Sequence, residues 1–205
     1  MAVRTPLAPY FNRHAWLALL LSAAACSSEA SGSPDAQAGD AGAEAAQEAA
    51  VALQEARLID HSAWHNYPAE LDPLAAHQPA PIKCGLTGWF VERSSLEVDT
   101  TECNYVLIEH PALVGVPAGS EVELELWHFD LIAPEPAQAH LALLFDADLQ
   151  WETFVDIPSL GNLERVRFRT TRELALGEPI RFHLHNHGQN TWMLGDVLTW
   201  IPAPE

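Results

Sequence analysis

Three histidines at alternate positions, His183, His185 and His187, stand in the run Phe182-His-Leu-His-Asn-His-Gly-Gln-Asn-Thr-Trp192. In an extended strand such residues leave from one face, about 7 Å apart. Neutral imidazoles placed this way ligate Zn or Cu when their rings lean toward one ion. Perfect alternation seldom lets all three reach one metal, so two of them plus a ligand from another strand is the geometry to expect. His128 and His140 are the contributors in view. They flank the connection Phe129 to Ala139, which is expected to join two antiparallel strands and bring the two backbones together. His128, His140, His183, His185 and His187 therefore form the candidate metal site. The same residues also have a structural reading. A buried histidine often donates to a backbone carbonyl, and Asn186-His187-Gly188 reads as a tight hairpin turn.

Other chemistry finds less. The sequence has no Cys-x-x-Cys, His-Glu-x-x-His, Gly-x-Ser-x-Gly or Gly-rich phosphate loop. Trp127, Trp151, Trp192 and Trp200 are aromatics able to stack on sugar rings, as in carbohydrate-binding sandwiches, or to serve as ordinary core and rim residues.

Short strands are what must position these groups. In Glu121-Val-Glu-Leu-Glu-Leu-Trp-His128, Val122, Leu124 and Leu126 fall on one face with the glutamates on the other, the pattern of a half-buried antiparallel strand. Comparable runs cover 87–92, 105–109, 140–145, 151–157, 163–170, 179–187 and 191–201, many separated by Pro, Gly, Asn or Asp. No sustained helical period follows Ala56. The pattern predicts an all-β fold, an antiparallel β-sandwich of jelly-roll type in a single domain over 57–205. Arg165, Arg167 and Arg169 face outward from one strand and are expected to pair with Glu121, Glu123 and Glu125 of a neighbour. Cys84 and Cys103 are expected to form a disulfide in an oxidising compartment, contributing about 3 kcal/mol in the chain-entropy model.

The first 25 residues read as a signal peptide: Arg4 and Arg13, an apolar run from Ala15 to Leu21, then small residues up to Cys26. That run is too short to span a bilayer. Residues 26–56 then read as a flexible acidic tether, rich in Ala, Ser and Gly and without an aromatic side chain, its second half able to form a transient helix. Six of the chain's 28 acidic residues and two of its ten basic ones precede Arg57, which leaves the domain a formal charge of about −14. Such a surface repels phosphate and argues against nucleic acid as a partner.

Three resemblances bear on function. The residues before Cys26 resemble the lipobox of bacterial lipoproteins, with Ala23 where an aliphatic residue, most often Leu, is usual. The resemblance implies a lipidated Cys26 and a membrane anchor, and the absence of Asp after Cys26 implies the outer membrane. Ala23-Ala24-Ala25 reads equally as an Ala-x-Ala site that would release a soluble product. His128-Phe129-Asp130 with His183 or His185 resembles the His-x-Asp...His triad of non-haem iron oxygenases, but no Arg follows His187 to hold an oxo-acid. Gly177 with His183-Leu184-His185 resembles the opening of the first cupin motif, with Gln189 where that motif has Glu. The expectation is a lipid-anchored exported binding protein rather than an enzyme, with a histidine-rich Zn or Cu site. A carbohydrate- or protein-interaction β-sandwich module with structural histidines is the alternative, and a jelly-roll or cupin-like metal-dependent oxidoreductase the second.

Overall fold

The computed structural model describes residues 52–203, so the signal peptide, Cys26 and nearly all of the expected tether lie outside the described residues. The described part is all-β, with eleven strands in two antiparallel sheets. Eight match the alternating runs: β3 (Trp89–Glu92), β5 (Tyr105–Pro111), β6 (Glu121–His128), β7 (Ala137–Phe145), β8 (Asp148–Ile157), β9 (Asn162–Arg169), β10 (Pro179–Asn186) and β11 (Thr191–Pro202). The other three are β1 (Leu53–Arg57), β2 (His65–Asn66) and β4 (Ser95–Asp99). β1 starts inside the segment expected to be tether and helix-prone, because the long β11 offers its backbone a partner from Leu198 to Pro202.

The first sheet runs β3-β4-β11-β6-β9, with β1 also on β11, and the second runs β2-β5-β10-β7-β8. The quartets β4-β11-β6-β9 and β5-β10-β7-β8 have the interleaved order of a jelly roll. The core lies between the sheets and is filled by the inward residues of each alternation, among them Leu96, Val122, Leu124, Leu141, Phe182, Leu184, Trp192 and Leu194. Cys84 and Cys103 are joined by a disulfide. The acidic row of β6 meets the basic row of β9 in register, Glu121 with Arg169, Glu123 with Arg167 and Glu125 with Arg165. Arg167 lies 2.7 Å from Glu123, and Arg165 lies 3.1 Å from Glu125.

The sheet order corrects one expectation about the histidines. β6 and β7 do not pair: β6 lies between β11 and β9, and β7 between β10 and β8. The connection after His128 therefore crosses from one sheet to the other, and His128 and His140 belong to opposite sheets. The Asn186-His187-Gly188 segment is likewise a crossover between β10 and β11, not a hairpin.

Candidate functional site

On β10 the core side carries Ile180, Phe182 and Leu184, so Arg181, His183 and His185 point to the other face of the second sheet. Register builds two rows across that face. Tyr105, His185, His140 and Phe154 form one, and Leu107, His183, Ala142 and Glu152 form the next. An outer sheet face is ordinarily wet, yet His183 is fully buried and His140 only 3% exposed. The cover is a Pro-rich strap, residues 67–83, that carries two short 3-10 turns, Ala69–Leu71 and Ala75–His77. Tyr67 lies 3.9 Å beneath the Arg181 guanidinium, and the His77 ring is 4.3 Å from that of His140.

The strap is fastened through Asp72. Its carboxylate accepts from the Tyr105 hydroxyl at 2.6 Å, from His183 Nδ1 at 2.9 Å and from the Leu74 amide at 2.8 Å. Burial opposes ionisation here, but the hydrogen bonds from His183, Tyr105 and Leu74 outweigh it and hold the carboxyl down at about 2. Tyr105 is pushed up by burial and by that same acceptor.

With Asp72 accepting from Nδ1, a neutral His183 presents Nε2 as a lone pair. His140 is the mirror case: Nε2 donates to Glu152 at 3.0 Å and leaves Nδ1 free. His183 Nε2, His140 Nδ1 and His185 Nε2 are all buried with no hydrogen-bond partner among the described residues. A buried polar atom left unmet costs about 1–3 kcal/mol, so three together call for an explanation. Burial pushes His140 below its usual range against the pull of Glu152, and burial followed by the neighbouring His187, His183, His140 and His77 lowers His185 to about 4. Beside these rings opens a cleft of about 230 Å3 lined by His77, Gln78, Phe154 and His187. His187 lies beyond the end of β10, exposed, its ring 4.3 Å from that of His185.

Four of the five expected histidines thus share one face, and the fifth does not. His128 points to the interior of the first sheet, its ring 4.4 Å from that of Trp192 and its Nδ1 donating to the Phe129 carbonyl at 2.8 Å. This separation also takes apart the oxygenase-like triad, since Asp130 accepts from the Gly161 amide while His183 faces outward from the opposite sheet. Among the described residues, no group of three or more His, Cys, Asp or Glu side chains could hold an ion as the side chains stand. Three members of the cluster, Asp72, His77 and Glu152, escaped the sequence reading.

A second feature lies on the outer face of the first sheet. Trp127 extends over Gly195, where an added Cβ would fall 3.0 Å from its ring. A glycine at that point lets the indole settle against β11 instead of standing off it. Around it opens a cleft of about 570 Å3 lined by Glu125, Phe129, Asn162 and Leu163. Phe129 is 56% and Leu163 61% exposed. Of the other three candidate tryptophans, Trp192 is buried, Trp151 belongs to the second sheet, and Arg167 packs over Trp200 at 5.5 Å.

No family model and no curated protein matches the chain. Several solved structures are similar. One is a carbohydrate-binding module described for specific mannan recognition, with TM-score 0.43, 8% identity and coverage of 74% of this chain and 98% of that one. Another is the N-terminal cellulose-binding domain of a β-1,4-glucanase from Cellulomonas fimi, with TM-score 0.34, 13% identity and coverage of 60% and 93%. A family 16 carbohydrate-binding module gives TM-score 0.31, 13% identity and coverage of 59% and 85%.

Proposed function

We propose that the chain is an exported, lipid-anchored binding protein whose sandwich takes a neutral carbohydrate on the Trp127 surface. The observation that carries this reading is the indole laid over Gly195 at the floor of an open cleft. A pyranose ring has an apolar face that stacks on such an indole, and its hydroxyl rim calls for polar groups at the margin. Glu125 and Asn162 stand there. The acidic charge of the domain selects against anionic glycans.

Isothermal titration of the full chain with cello-, manno- and xylo-oligosaccharides tests the proposal. Saturable binding of one series, weakened at least tenfold by Trp127→Ala, supports it. No binding to any series, or equal binding by the variant, overturns it. The anchor has its own test in mass spectrometry of the membrane fraction: an acylated Cys26 supports it, and a free thiol on a soluble product overturns it.

A further inference from the structure

The three unpartnered nitrogens on the opposite sheet point to a second site of different chemistry. We propose that His140 Nδ1, His183 Nε2 and His185 Nε2 bind one transition-metal ion of the zinc or copper class.

The arrangement differs from ordinary packing in what holds the far side of two of the rings. A ligating histidine characteristically donates its other N–H to a carboxylate, which fixes the tautomer and aims the lone pair. His183 does this to Asp72 and His140 to Glu152, through opposite ring nitrogens, so that each buried free nitrogen is the one left for a ligand. His185 is the direct cross-strand partner of His140 and supplies the third.

The spacing of one pair agrees with a shared ion. Two imidazoles bound to one tetrahedral ion at about 2.0–2.1 Å have ring centroids about 5 Å apart. Those of His140 and His183 are 4.9 Å apart at an angle of 57°. The three rings do not converge on one point as they stand, and His185, whose ring leans on His187 at 4.3 Å, has to turn for the site to close. The donor set is all imidazole, which suits zinc and copper and disfavours magnesium or calcium. Three protein ligands leave a fourth position for water or another small ligand. The cleft of about 230 Å3 beside the rings gives that ligand room.

The experiment uses the full chain stripped with a chelator and titrated separately with ZnCl2 and CuCl2 by calorimetry. The expected result is one ion per chain, with affinity lowered at least a hundredfold in His185→Ala and unchanged in His128→Ala, whose ring lies in the other sheet. Because replacing a buried histidine can unfold the domain, a second readout uses the unaltered protein. The nitrogen hyperfine pattern of the Cu(II)-loaded chain in electron paramagnetic resonance should count three imidazoles. Stoichiometric binding with that pattern supports the site. Absence of binding by both ions, which leaves water as the partner of these nitrogens, overturns it. So does binding that His128→Ala weakens as much as His185→Ala.

Discussion

Replacing Asp72 with Asn tests whether the strap is fastened as described. The substitution keeps the shape of the side chain but removes the charge and turns one acceptor into a donor among the Tyr105 hydroxyl, His183 Nδ1 and the Leu74 amide. Asp72 is held at about 2 against an ordinary 3.8, so its ionised form is favoured in the fold by about 2–2.5 kcal/mol at 1.36 kcal/mol per pKa unit. That contribution is present above pH 3.8 and disappears as pH falls through about 2. A donor left without an acceptor adds about 1–3 kcal/mol, giving a loss of about 3–5 kcal/mol at pH 7, the range for a buried charged pair deprived of one partner. At about 2–4 °C per kcal/mol for a domain of this size, Tm should fall by about 6–20 °C. Urea unfolding of the full chain measures the loss, and Tyr105→Phe separates its parts. The double variant should lose at least about 1 kcal/mol less than the sum of the singles. A cost below about 1 kcal/mol with no coupling to Tyr105 would refute the fastening.

Two further outcomes follow from buried groups. The unfolded chain protonates His185 near 6.5 and the folded chain near 4. Its contribution to stability is therefore complete above pH 6.5 and erodes by up to about 3 kcal/mol on acidification to pH 4. Urea midpoints measured from pH 7 to pH 4 should show that slope, shallower in His185→Gln; an unchanged slope would place the ring in water. Gly188→Ala should cost about 1–3 kcal/mol, because the new methyl would lie 2.8 Å from Ile157 and 3.0 Å from the Ile132 carbonyl. A neutral result in thermal unfolding would contradict the tight crossover there.

Alternation made the long strands legible, and with them the Glu and Arg ladder, because a period of two survives wherever one face is buried. The three strands it missed have physical reasons. β1 reads Leu-Gln-Glu-Ala-Arg with nearly every side chain exposed, so only its backbone pairing reveals it. β2 has two residues, and β4 buries only Leu96 and Val98 in a run of five. Sheet membership is not a property of any one strand, which is why His128 and His140 were expected together. Asp72 was beyond reach for a similar reason: it is 111 residues from His183 in sequence, in a stretch that Pro68, Pro73, Pro79 and Pro81 make read as plain loop. The signal present was the density of chemistry in that loop, an Asp and a His among four prolines.

The charge rows on the strands that close the two sheets also govern what copies of this chain do to one another. Among the described residues β9 ends the first sheet and β8 the second, eight and ten residues long, each with one backbone edge unpaired by another strand. Open edges of that length invite a second chain to continue the sheet. β9 carries Arg165, Arg167 and Arg169, while β8 carries Asp148, Glu152 and Asp156. Pairing of β9 or of β8 with its own copy would bring like charges together and is opposed by repulsion, so the pairing these edges leave open is β9 of one copy against β8 of another, where an Arg row meets Asp and Glu.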